Sequence, residues 1–255
     1  MKRILFLISL IFVLIVTACS NENDTKQESK KETKAEIITV SAAASLQDAL
    51  NEAIEEYNKE SDVKIDVNYG GSGALREQIL KGAPVDLFIS ASQDDFKQVD
   101  DEGLIFEKKD YLENKLVLTR PEDGTVNSID DLKDASQIAI GEVETVPAGK
   151  YAKEALTSLN LFDELESKFI YASDVRAVLT YVAQGEADAG VVYETDAKTE
   201  EDNVDIVDEF GSDTHKPIIY PIGTLSESES VKEFYDFLNS DVALDIFKKY
   251  GFTVE

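Results

Sequence analysis

Cysteine and histidine are the scarcest reactive residues in this 255-residue chain, with one of each, Cys19 and His215. A lone cysteine permits no intrachain disulfide, and one cysteine with one histidine is a poor ligand set for zinc. Positive charge is also short. The 25 lysines and arginines face 52 aspartates and glutamates, for a formal net charge of −27. Nucleic-acid binders show the opposite balance, and an anionic lipid surface repels such a body. An acidic exterior serves solubility. It also requires that any bound anion be held by local dipoles, against the field of the whole protein. The acidic clusters, Asp94-Asp95, Asp100-Asp101-Glu102, Asp130-Asp131 and Glu200-Glu201-Asp202, lack the D-x-D-x-D-G spacing of a calcium loop and read as solvated faces.

The chain has one long apolar run, Ile4–Val16, broken only by Ser9 and preceded by Lys2 and Arg3. It is too short to cross a bilayer comfortably and reads as a secretory signal. Val16-Thr17-Ala18-Cys19 resembles the bacterial lipobox, in which the cysteine is lipidated and becomes the first residue. Residues 1–19 are therefore expected to be a lipoprotein signal peptide, with Cys19 anchoring the protein to the outer face of the bacterial cell membrane. Residues 20–36 contain no aliphatic side chain larger than alanine and are expected to be a flexible tether.

From Ile37 the pattern becomes that of a folded domain with enough apolar residues for a core, 43% of the chain. Ile37-Ile38-Thr39-Val40 is a candidate buried strand. Leu46, Ala49, Leu50, Ala53, Ile54 and Tyr57 follow at helical spacing, with Ser45 placed to cap that helix. Val63, Ile65, Val67 and Tyr69 alternate as a strand does, and Gly70-Gly71-Ser72-Gly73 turns it into another helix. Leu87-Phe88-Ile89, Leu116-Val117-Leu118, Ile138-Ala139-Ile140, Phe169-Ile170-Tyr171, "AGVVY" and Ile218–Ile222 are further strands. Helices are expected after Val146-Pro147, with proline in the first turn, after Ser173-Asp174, and twice at the C-terminus. Alternating strands and helices argue for an α/β fold with mostly parallel sheets. Two comparable blocks, near 37–118 and 121–217, are followed by a C-terminal return.

Ser72 poses a choice. Gly70-Gly71-Ser72-Gly73-Ala74 nearly matches the nucleophile elbow G-x-S-x-G, but its last position is alanine. A serine hydrolase would have to rely on His215, which lies in a polar, loop-like run. No lysine follows the glycines, as a phosphate loop requires, and Arg76 stands where the dinucleotide fingerprint needs its third glycine. The other reading is an anion cradle. Four strand-to-helix junctions carry small or capping residues: Ala44-Ser45, Gly71-Ser72-Gly73, Pro147-Ala148-Gly149 and Asp174-Val175. Each helix start offers unpaired N–H groups and about half a positive charge. In an open α/β sheet such starts gather beyond the carboxyl ends of the strands. Each could equally serve as an ordinary cap, since convergence is a property of the fold.

The segments "ITVSAAASLQDAL", "GGSGALREQILKGAPVDLFISAS", "VPAGKYAKEAL", "DVRAVLTYV", "AGVVYETDA" and "FYDFL…IFKKYGF", in order from Ile37 to the C-terminus, resemble the molybdate-binding proteins of ABC importers, within the periplasmic-binding-protein superfamily. The resemblance implies two lobes with the ligand in the cleft between them. Lobe one is expected to comprise residues 37–118 and 222–255, and lobe two residues 119–221, with the chain crossing near Leu118–Arg120 and Ile219–Ile222. It implies a tetrahedral oxyanion held by uncharged donors. These are the hydroxyls and N–H groups of Ser45 and Ser72, the N–H groups of Ala148 and Val175, and the phenol of Tyr193. It implies capture of molybdate or tungstate, delivery to an ABC permease, a monomer, and no catalysis, no cofactor and no metal held directly by side chains. Sulfate or phosphate remains an alternative ligand, and a Ser72 hydrolase an alternative activity. Arg76, Lys150 and Arg176 lie beside the motifs, and the resemblance does not make them ligands.

Overall fold

The computed structural model describes residues 36–254. The signal peptide, Cys19 and all but the last residue of the expected tether lie outside the described residues. The first block runs β1 (Ile37–Ala43), a 3-10 turn at Ala44–Leu46, α1 (Gln47–Tyr57), β2 (Lys64–Gly70), α2 (Ser72–Leu80), β3 (Leu87–Ile89), α3 (Gln93–Asp101) and β4 (Lys108–Asn114). The middle block runs β5 (Leu116–Pro121), β6 (Ile138–Gly141), α4 (Pro147–Ser158), α5 (Phe162–Leu165), β7 (Phe169–Ala172), α6 (Val175–Ala183), β8 (Ala189–Tyr193), α7 (Glu194–Ala197) and β9 (Val204–Glu209). The return consists of β10 (Ile218–Thr224), α8 (Glu229–Leu238), α9 (Asp241–Lys249) and β11 (Thr253–Val254).

These strands form two sheets flanked by helices, in the orders β11-β4-β10-β3-β1-β2 and β7-β6-β8-β5-β9. Within each sheet the consecutive βα strands pair in parallel: β1 with β2 and β3, and β6 with β7 and β8. The remaining pairings are antiparallel, because β10 and β11 in the first sheet and β5 in the second run opposite to their neighbours. Each sheet is therefore mixed, with a parallel half that presents helix starts at its carboxyl edge.

The apolar pattern explains the burial. β1 is paired on both edges, by β2 and β3, and covered on both faces, with Ile38, Val40 and Ala42 on one side and Ser41 and Ala43 on the other, all buried. α1 buries the stripe Ala49, Leu50, Ala53 and Tyr57. The Tyr57 ring meets Phe234 of α8 edge-on at 4.9 Å, so the return packs on the first block. Full burial of a side chain such as Phe234 stabilises by about 1.5–3 kcal/mol.

The points at which the chain changes sheet differ from expectation. Leu116, Val117 and Leu118 pair with β8, so the chain leaves the first sheet at Lys115, ahead of the expected crossing at Leu118–Arg120. Ile218–Pro221 pair with β4, so the return is made within residues 210–217 and not at Ile219–Ile222. By sheet membership, the first lobe holds β1–β4 with β10 and β11, and the second holds β5–β9. The reason is physical. β4 and β5 form one extended run broken only at Lys115, and an apolar strand such as Leu116–Leu118 suits either sheet equally well.

Candidate functional site

The helix starts that follow β1, β2, β6 and β7 meet around one small cavity between the two sheets. Its free volume is small, about 10 Å³, on the order of what one water needs. Its walls include Ala44, Ser45, Gly71, Ser72, Ala91, Pro147, Ala148, Val175 and Tyr193. Ser45 and Ser72 come from the first lobe, and Ala148, Val175 and Tyr193 from the second. The structure thus brings all five residues singled out in the sequence to one cavity, while Cys19 lies outside the described residues.

Local sequence sets each position. Pro147 occupies the first helical position of α4, which leaves Ala148 in the first turn, where N–H groups lack intrahelical acceptors. A Cβ on Gly149 would stand 2.0 Å from the Gly141 carbonyl oxygen, so only glycine lets α4 sit this close to the end of β6. Asp174 caps α6, its Oδ1 accepting the Ala177 N–H at 2.9 Å, which leaves Val175 as the first helical residue facing the cavity. Four helix starts together supply at most about two positive charges' worth of dipole.

The hydroxyls divide into those with partners and one without. Ser72 Oγ accepts the Ala91 N–H at 2.9 Å. Ser45 was expected to cap its helix, but no side-chain cap bond forms there. Its Oγ lies 2.9 Å from Tyr220 Oη, 175 residues away, because the 3-10 turn aims the side chain across the sheet towards β10. Tyr193 is fully buried, and its hydroxyl has no partner among the described residues. Burial, with Tyr220 and other neighbours adding to it, holds the Tyr193 phenol well above its ordinary pKa, so it stays protonated and able to donate. Tyr220 packs edge-on beneath it at 5.8 Å and is likewise pushed up, chiefly by burial.

The cations stand outside the cavity, each beside a carboxylate. Arg76 pairs with Asp95 at 2.6 Å, and Lys150 reaches across the cleft to Asp94 at 2.8 Å. Arg176 reaches across it to Asp48 at 2.5 Å. Arg176 Nε also lies 2.7 Å from Asp196 Oδ1, although neither atom is aligned for a hydrogen bond. Asp196 is completely buried, and burial pushes its carboxyl up to about 7 against the pull of Arg176. Among the described residues, no group of three or more histidine, cysteine, aspartate or glutamate side chains could hold a metal ion.

The lobes touch at bare backbone. Gly73 N–H donates to the Thr145 carbonyl at 3.0 Å across the cleft. A Cβ on Gly73 would stand 2.8 Å from Thr145 Cα. A much larger groove, about 850 Å³, shares Val146 and Pro147 with the cavity and is lined by charged residues such as Arg76, Lys150, Glu154 and Lys216. His215 lines that groove, its ring against Tyr151, and does not line the cavity that holds Ser72. The elements of a Ser-His triad are therefore not assembled. Sequence reasoning did not single out Tyr220 or Asn114, which stand behind Ser45. Neither lies in a motif, and their link to the site exists only once β4 and β10 pair.

Residues 38–253 match a family described as "Bacterial extracellular solute-binding protein". The chain is 48% identical over 209 residues to "Putative ABC transporter substrate-binding lipoprotein YvgL" of Bacillus subtilis, covering 78% of this chain and 80% of that one. It is 39% identical over 209 residues to the molybdate-binding protein ModA of Escherichia coli, covering 77% and 81%. The solved structure of the periplasmic molybdate-binding protein of Azotobacter vinelandii has the same fold, with a TM-score of 0.76 at 23% identity over 86% of this chain and 99% of that one.

Proposed function

The chain belongs to the bacterial extracellular solute-binding proteins, carriers for transport and not enzymes, and from that premise we propose that its solute is molybdate, with tungstate as a second ligand. It is an extracytoplasmic substrate-binding protein of the ABC-transporter type. The observation that carries the finer reading is the Tyr193 hydroxyl, fully buried and without a partner, in a cavity walled by helix starts. A fully deprotonated tetrahedral oxyanion supplies the missing acceptor. It also gives acceptors to the first-turn N–H groups of Ser45, Ser72, Ala148 and Val175 and to the two serine hydroxyls. Each donor to a charged guest is worth about 1.5–3 kcal/mol. Donors come from both lobes, so the anion draws them together, and exclusion of water strengthens every fixed dipole.

Delivery to an ABC permease and anchoring through a lipid on Cys19 complete the proposal. The lipoprotein description of the Bacillus subtilis relative supports the anchor. Calorimetric titration with molybdate, tungstate, sulfate and phosphate tests the ligand. Molybdate and tungstate, nearly equal in size, bind tightly. Sulfate is smaller and binds more weakly, and phosphate keeps a proton and binds weakest. Absence of heat with molybdate overturns the reading.

A further inference from the structure

We propose that Tyr220 is a specificity-determining positioning residue, which forces the Ser45 hydroxyl to act only as a donor towards the bound anion. The inference rests on the oxyanion reading of the cavity and adds the origin of its selectivity. Hydrogen-bond polarity can be traced from an unambiguous donor, the backbone N–H of Lys115, at the point where the chain changes sheet. That N–H donates to Asn114 Oδ1 at 2.9 Å, which fixes the orientation of the amide. Asn114 Nδ2 therefore faces the other way and donates to Thr195 Oγ1 at 2.8 Å and to Tyr220 Oη at 3.3 Å. Tyr220 has one proton. Its oxygen accepts from Asn114, and its remaining neighbour is Ser45 Oγ at 2.9 Å, so the proton goes there. Ser45 Oγ then accepts from Tyr220, and its own proton is left for the cavity.

Ser72 reaches the same state by a shorter route, because the Ala91 N–H occupies its oxygen. Both serines thus present hydrogen to the guest, and every main-chain group at the helix starts is an N–H. Tyr193 is the one hydroxyl whose polarity the protein leaves unset. Such a wall suits an anion with four bare oxygens. An anion that keeps a proton brings a donor into a wall of donors, and a buried donor facing another donor is strongly disfavoured. Tyr220 lies outside the cavity wall and is fully buried, so it acts through Ser45 and not on the anion.

The experiment compares molybdate with inorganic phosphate at mildly alkaline pH, where molybdate carries no proton and phosphate carries one. The proteins are wild type, Tyr220→Phe and Asn114→Asp. Tyr220→Phe keeps the ring and frees the Ser45 oxygen. Asn114→Asp turns the relay round, because a carboxylate accepts the Tyr220 proton and Tyr220 then accepts from Ser45. The readout is the ratio of phosphate to molybdate dissociation constants, which cancels general charge repulsion and lost packing. It falls by about tenfold or more in Tyr220→Phe and further in Asn114→Asp, as expected for one hydrogen bond to a charged group. Thermal unfolding of both variants identifies any that fails to fold, and the other then decides. If wild type binds no molybdate, the oxyanion reading fails. If wild type binds it and the ratio stays unchanged, or phosphate remains undetectable in every folded variant, the role of Tyr220 is refuted and the oxyanion reading stands.

Discussion

Tyr193→Phe removes one oxygen atom from the cavity wall and leaves the ring in place. Two opposite effects follow. With the anion bound, the variant lacks one charge-assisted hydrogen bond, about 1.5–3 kcal/mol, so affinity falls by roughly 10- to 150-fold. With the cavity empty and the lobes closed, wild type holds a buried hydroxyl without a partner. Such a group costs about 1–3 kcal/mol. Opening the cleft hydrates the hydroxyl and relieves that cost, so in wild type it disfavours closure without ligand. Phenylalanine has no hydroxyl to hydrate, and the closed-to-open ratio of the empty variant rises by about 5- to 150-fold. Calorimetry reads the first effect, and small-angle scattering of ligand-free protein reads the second as a smaller radius of gyration. A variant that binds molybdate as tightly as wild type and has the same ligand-free dimensions would refute the role assigned to Tyr193.

Gly73→Ala places a methyl group 2.8 Å from Thr145 Cα and 2.9 Å from its carbonyl oxygen. Overpacking of about 1–3 kcal/mol then falls on the closed form alone and weakens molybdate binding by roughly 5- to 150-fold in titration, with the melting temperature of the ligand-free protein nearly unchanged. Lys150→Ala breaks a half-exposed pair with Asp94, and calorimetry finds affinity within about fivefold of wild type. Asp196 has its carboxyl raised to about 7 in the folded protein from an ordinary value of 3.8. Its contribution to stability is therefore complete below pH of about 4 and is lost as pH rises through about 7. Thermal unfolding of Asp196→Asn shows a shallower decline than wild type between those values, and identical slopes would show that Asp196 does not titrate there.

Much of the candidate cavity was legible because the helix starts that wall it form where local rules operate. Pro147 starts a helix, Asp174 caps one, and Gly71-Ser72-Gly73 ends a strand, and each signal spans only a few residues. What the sequence concealed depends on distant pairing. Ser45 looks like a cap because its neighbours are helical, yet Tyr220 captures its hydroxyl. β4, Lys108-Lys109-Asp110-Tyr111-Leu112-Glu113-Asn114, is not among the expected strands, and it is one because β10 and β11 border it on both sides. β9 (Val204–Glu209) lies at a sheet edge, and its side chains are mostly only partly buried, so no clear apolar alternation reveals it.

Ala148 and Val175 enter the cavity wall as main chain at helix starts, whatever side chains they carry. Exchanging either for another small or β-branched residue leaves the amide hydrogen where it was, so an alanine scan passes over the donors proposed at these two positions. Only proline, which deletes that hydrogen, strikes it directly. Selectivity written in the path of the backbone can outlast wide drift in the letters of the sequence, provided the glycines and the proline that shape the path are kept.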